Sequence, residues 1–104
     1  MTLPLRLDPS ALSAFCRRWA VQELAFFGSV LREDFGPASD VDVLVSFKPG
    51  ARPSLLDHVE MQHQLAELLG RRVDLVTRRA VEQSRNMVRR DAILSSARVV
   101  HVEG

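Results

Sequence analysis

The sequence predicts an α/β domain (α+β in the arrangement of its elements), with a mixed central sheet of about four strands covered by helices. Three observations predict it. Segments of helical period alternate with short β-branched runs along the whole chain, caps and Gly/Pro turns punctuate them, and no repeat or low-complexity tract interrupts the order. With 104 residues the chain suits one small domain, expected to occupy 1–104. Hydrophobic residues at 46% and charged residues at 26% give an ordinary globular balance, against disorder.

Asp8-Pro9 opens the first helix, with Asp8 as N-cap and Pro9 in the first turn, and the helix is expected to reach about Trp19. Glu23 to Phe27 is a short apolar strand ending at Gly28, followed by a short helix from Ser29 to Asp34 and a Gly36-Pro37-Ala38-Ser39 loop. Val41 to Phe47 is a strand rich in β-branched residues, and Lys48 to Pro53 a turn. Leu55, Leu56, Val59, Leu65, Leu68 and Leu69 recur at helical intervals, with Gly70 as the stop. A third strand follows from Arg72 to Thr77. A helix covers Ser84 to Ser95, preceded by a turn or short helix from Arg79, and Arg98 to Val102 forms the last strand. The tight connection from Gly28 to Val41 leaves room for mixed strand directions.

Cys16 is the only cysteine, so the sequence holds no internal disulfide and no cysteine cluster for zinc. It shares helical spacing with Leu12, Phe15 and Trp19 and reads as a core thiol rather than a reactive one. No apolar run approaches the roughly 20 residues of a membrane span, and Met1 to Pro9 lacks the layout of a secretory signal. A cytoplasmic protein without membrane contact is expected. A net charge of +1 gives weak attraction to nucleic acid or anionic lipid as a whole. Locally, eight arginines between Arg71 and Arg98 face only Asp74, Glu82 and Asp91. They read as a solvated face, with a surface for an acidic protein or RNA as the alternative. His58, His63 and His101 read as surface residues.

The chemistry concentrates in two stretches. Side chains alternate along a strand, so Asp40 and Asp42 project from one face while Val41, Val43 and Val45 point into the core. Two carboxylates so close repel each other, and a hard divalent cation relieves that repulsion. Asp74 stands alone among apolar neighbours in Arg72-Val73-Asp74-Leu75-Val76. If its strand lies beside the first, three acids meet and could hold two ions. Gly28-Ser29 ends a strand and opens a helix, presenting backbone N–H groups to phosphate with no Cβ in the way. Ser29 adds a hydroxyl donor, and Arg32 on the same turn can reach the negative charge of a triphosphate.

Phe27-Gly28-Ser29, Arg32, Ser39 to Val45 and Val73 to Val76 together resemble the nucleotidyltransferase superfamily that includes DNA polymerase beta, in particular its minimal bacterial members. The resemblance spans about Leu24 to Thr77 and implies a nucleotidyltransferase fold. It also implies that Gly28 and Ser29, with Arg32, hold the nucleotide, that Asp40 and Asp42 bind the nucleotide-bound Mg²⁺, and that Asp74 with them binds a second Mg²⁺ and favours deprotonation of the acceptor. ATP would be the substrate and AMP the transferred group. Minimal members are similar to antitoxins paired with a HEPN-domain ribonuclease toxin, which implies that toxin as partner in a hetero-oligomeric complex and a toxin tyrosine as acceptor. The chain itself has no tyrosine. Larger relatives carry an added substrate domain for which this length leaves no room, so a partner or a second copy is expected to complete the acceptor site. The alternative expectation is a binding module that neutralises the toxin by covering it, with its acids idle. Transfer to a small molecule or an RNA end is the third.

Overall fold

The structure, a computed structural model, describes residues 7–31, 36 and 39–103, with residue 29 described in its backbone alone. Asp8 caps helix α1 (Pro9–Trp19) by accepting hydrogen bonds from the Ser10 and Ala11 backbone, and Pro9 fills the first turn. The helix ends at Ala20, whose φ of 56° lies in the left-handed region. That conformation costs a non-glycine residue about 1 kcal/mol. It lets the Ala20 carbonyl accept from Lys48 N–H at 2.8 Å, so the helix end is tied to the end of the second strand.

Strand β1 (Val21–Phe27) begins two residues before the expected Glu23, because Val21 is fully buried and a register shift between Val21 and Glu23 lets the strand continue. A single 3-10 turn, Gly28–Leu31, follows; the rest of the helix expected to Asp34 lies outside the described residues. Strand β2 (Val41–Phe47) has the expected bounds. Helix α2 (Leu55–Leu69) starts in a capping box between Ser54 and Asp57 and stops at Gly70, φ 66°. Strand β3 (Val73–Thr77) leads into a short helix α3 (Arg78–Glu82) capped by Thr77. The next helix, α4 (Met87–Ser96), starts later than expected because Asn86, not Ser84, caps it through Arg89 N–H. Strand β4 (Arg98–Val102) closes the order.

The four strands form one mixed sheet in the order β3-β2-β1-β4. β1 runs antiparallel to both β2 and β4, while β2 and β3 are parallel, with α2 as the crossover between them. Alternation sorts the side chains cleanly. Leu24, Phe26, Val41, Val43, Val73 and Leu75 join Leu12, Phe15, Cys16, Met61 and Leu65 in the larger core under α1 and α2. Ala25, Phe27 and Leu44 face the other way and join Val81 and Ile93 of α3 and α4 in a smaller one. Cys16 is fully buried and its pKa is raised to about 11, chiefly by burial, with the Glu103 charge adding to it. The thiol is a core group, as expected.

One expectation changes on α2. Leu55, Leu56 and Val59 lie on the helix as their spacing predicts, but are 80%, 81% and 46% exposed. Helical phase explains Leu56 and Val59, which share the outward side with the exposed His63 and Glu67, while Met61 and Leu65 carry the inward stripe. The inward position one turn earlier holds His58, so this histidine is not a surface residue. Its Nε2 lies 2.8 Å from the Leu75 carbonyl. A carbonyl only accepts, so Nε2 carries the proton. Gln62 Oε1 accepts from Leu75 N–H at 3.0 Å. One turn of α2 thus satisfies both backbone groups of Leu75 and blunts the free edge of β3. His101 is also drawn in, 2.9 Å from Glu103. No helix among the described residues is long and apolar enough to cross a membrane.

Candidate active site

β1 ends where β2 and β3 begin, because β1 runs against the other two strands. Of the residues singled out in the sequence, Gly28, Asp40, Asp42 and Asp74 gather at that end of the sheet. Phe27 pairs with Asp42, and Asp42 pairs in register with Asp74 on the parallel strand β3. In-register neighbours share a face, so Asp42 and Asp74 stand side by side, one strand spacing of about 4.8 Å apart. They occupy the face that carries α3 and α4, just beyond the patch that Leu44 covers. The flanking Val41, Val43, Val73 and Leu75 are buried on the opposite face and lock this orientation, since a one-residue slip would bury both acids.

Gly28 adopts φ +74° at the end of β1, and a Cβ built there would overlap Asp42 Oδ2 and stand 3.2 Å from its Cγ. The glycine therefore makes room for a protein carboxylate as well as supplying a left-handed turn. Val30, 1% exposed, pins the turn into the larger core. The turn is one 3-10 turn of four residues, so its dipole is short. Of the other two expected nucleotide ligands, the Ser29 side chain and the whole of Arg32 lie outside the described residues.

Asp40 immediately precedes β2 and is held differently. Its Oδ1 meets Arg72 Nε at 3.0 Å, across the strand gap from the residue before β3. The Asp42 carboxylate leans toward the β1 side and that of Asp40 toward the β3 side. Among the described residues no three His, Cys, Asp or Glu side chains are grouped closely enough to hold a metal ion. The register thus brings Asp42 and Asp74 together, while the three carboxylates expected to converge do not form one such group. The Arg72 guanidinium draws the Asp40 carboxylate toward β3. The two side chains of this pair are 51% and 75% exposed, and an exposed pair of this kind is worth about 0–1 kcal/mol.

Sequence reasoning missed the two arginines that serve this end of the sheet. Arg71 Nη2 donates to the carbonyl oxygens of Gly36 and, at 3.0 Å, Ser39. Within the same loop Ser39 N–H donates to the Gly36 carbonyl at 3.0 Å, and Gly36 N–H to Ser39 Oγ at 3.2 Å. Val41 N–H donates to the Arg72 carbonyl at 2.8 Å. The stretch that delivers Asp40 is therefore fastened to the start of β3 by main chain and side chain together. The available signal was position: an Arg-Arg pair directly before the strand that carries the lone aspartate.

The nucleotidyltransferase domain family model matches residues 9–100, nearly the whole chain. The chain belongs to the nucleotidyltransferase family. Within this family it is 43% identical over 65 residues to the protein adenylyltransferase MntA of Thermococcus cleftensis, a match covering 62% of this chain and 64% of that protein. The alignment thus spans a little under two thirds of that relative's length. Among solved structures, a minimal nucleotidyltransferase superposes with a TM-score of 0.63 at 35% identity, covering 86% of this chain and 84% of the other. A toxin-antitoxin complex with AMP-PNP gives a TM-score of 0.68 at 21% identity over 92% of this chain and 74% of that one, which is a likeness of fold. The mixed four-stranded sheet of this family member accordingly superposes on that of a solved minimal nucleotidyltransferase.

Proposed function

We propose that this nucleotidyltransferase transfers AMP from ATP to a hydroxyl of a partner protein in a Mg²⁺-dependent reaction, and acts in this way as an antitoxin toward a HEPN-domain toxin, with a toxin tyrosine as acceptor. The observation that carries the reading is the in-register pairing of Asp42 with Asp74 beside the Gly28 turn, in a chain of this family. The similarity to an MntA protein adenylyltransferase supports the choice of a protein acceptor. The fold shared with a toxin-antitoxin complex holding AMP-PNP supports the partner class and the nucleotide.

The residues fit the metal that the fold implies. Asp42 and Asp74 supply hard oxygen donors from adjacent positions, and Asp40, whose ion pair with Arg72 is exposed, lies one alternation away along the same chain segment. When bound, Mg²⁺ would neutralise the acids and polarise the phosphate oxygens. Asp40 and Asp42 would hold the nucleotide-associated ion, and Asp74 with them the second, favouring loss of the acceptor's proton. The N–H groups of the Gly28 turn, with Ser29 and Arg32, would receive the triphosphate. The acceptor oxygen forms a bond to the α-phosphorus, the bond from the α-phosphorus to the bridging oxygen breaks, and pyrophosphate leaves with the electron pair. The protein contributes alignment and charge complementarity rather than covalent chemistry.

Incubation with α-labelled ATP, Mg²⁺ and the folded protein encoded beside this one tests the proposal. Label should appear on the partner, and Asp42→Asn should lower it on the order of 10²-fold or more while circular dichroism stays unchanged. A partner left unlabelled by the wild-type chain rejects the reading. The pairing of Asp40 with Arg72 favours a second reading, neutralisation by complex formation alone. Under it, Asp42→Asn would protect cells from the toxin as well as the wild type does.

A further inference from the structure

At the far end of β2 from the acids lies a cavity of about 510 Å³ that the reaction above does not use. Phe47 in its wall lies five positions beyond Asp42, roughly 17 Å along a strand. Lys48, Arg52, Arg78 and Arg79 line it against Glu82 as the single acid. Arg78 and Glu82 stand 3.8 Å apart. No ion pair among the described residues engages Lys48, Arg52 or Arg79. These cations come from the turn after β2 and from the start of α3, two segments that the parallel β2–β3 pairing brings together. Like charges gathered around one cavity repel each other, and an anion of matching charge removes that cost. Phe47 and Pro53 give the same cavity an apolar wall.

We propose that this cavity is a second ligand site, distinct from the acidic end, that takes an oligophosphate group, free or carried on a nucleoside. Its volume falls in the range of small-molecule sites. A single carboxylate is satisfied by one arginine fork, whereas four cations against one acid leave a surplus of three, which matches a di- or triphosphate. The Phe47 and Pro53 wall offers a nucleoside its apolar contact.

Calorimetric titration of the whole chain with tripolyphosphate and with ATP, in EDTA at about 0.15 M salt, tests the proposal. Without divalent ions the acidic end repels both probes, so binding there is suppressed. The expected result is one-to-one binding, weakened at least about tenfold in Arg52→Gln/Arg79→Gln. It should be unchanged in Arg85→Gln/Arg89→Gln, which removes two exposed arginines outside the cavity. Arg52 and Arg79 are exposed, and a matching thermal midpoint checks that the fold survives; Arg52→Gln alone serves if the double variant does not fold. ATP binding more tightly than tripolyphosphate places the nucleoside on Phe47 and Pro53. Equal binding assigns the site to the phosphate chain alone, and both results support an oligophosphate site. No binding by the wild type, equal loss in both arginine pairs, or citrate binding as tightly as tripolyphosphate overturns it.

Discussion

Gly28 shows how much one residue decides. It needs a positive φ, and its missing Cβ leaves room for the Asp42 carboxylate. Gly70 also has a positive φ, but nothing stands within 4 Å of the Cβ it lacks. Gly70→Ala should therefore cost only backbone strain, about 1 kcal/mol, and Gly28→Ala at least about 1 kcal/mol more. Urea denaturation of the two variants checks this. A double-mutant cycle of Gly28→Ala with Asp42→Ala should return the excess, because the overlap then has no partner. Equal costs at the two glycines would show that the close approach is not felt. At this scale Asp42 and Asp74 were legible as strand acids, since alternation and isolation among apolar neighbours mark them, whereas Asp40 falls just before its strand. The pairing of Asp40 with Arg72 was not legible. Eight arginines follow in the C-terminal third, and only strand pairing reveals that Arg72 meets Asp40 and Arg71 the preceding loop.

Helices α1 and α2 announced themselves through chemistry that acts within one turn: Asp8-Pro9 and Ser54 at their starts, Gly70 at one end. α4 was misplaced by three residues because Ser84 and Asn86 are both able caps and only the structure selects Asn86. The inward histidine of α2 was illegible, because its partner is a backbone carbonyl on another element. The last strand carries a comparable long-range tie. Glu103 accepts from Ser13 Oγ of α1 at 3.0 Å and meets His101, while its backbone N–H and carbonyl bond to Gln22 of β1. These contacts, the His101 hydrogen bond first and Ser13 next, lower the Glu103 pKa. A carboxyl with a lowered folded-state pKa contributes stability above its ordinary value, about 4.5, and loses it as the pH falls through the lower one. Glu103→Gln should thus lower the thermal midpoint at pH 7, and the gap to wild type should close as the pH drops below about 4.5. A gap independent of pH would assign the loss to packing instead.

Across the whole molecule the sheet has two chemically opposite ends. At one, β1 stops and β2 and β3 start, bringing the aspartates and the glycine turn together; at the other, the same two strands finish among cations. The alternating element order and its four strands were readable from local patterns. The strand order β3-β2-β1-β4 was not, because pairing between distant segments leaves no periodic mark. The acidic end depended on that pairing. The proposed transfer requires Asp40, Asp42 and Asp74 to form a seat for two divalent ions. Electron paramagnetic resonance of Mn²⁺, titrated into the chain with a non-hydrolysable ATP analogue, measures this most directly. Two bound Mn²⁺ are predicted for wild type and one for Asp74→Asn. An unchanged Mn²⁺ count on removing Asp74 would contradict the account.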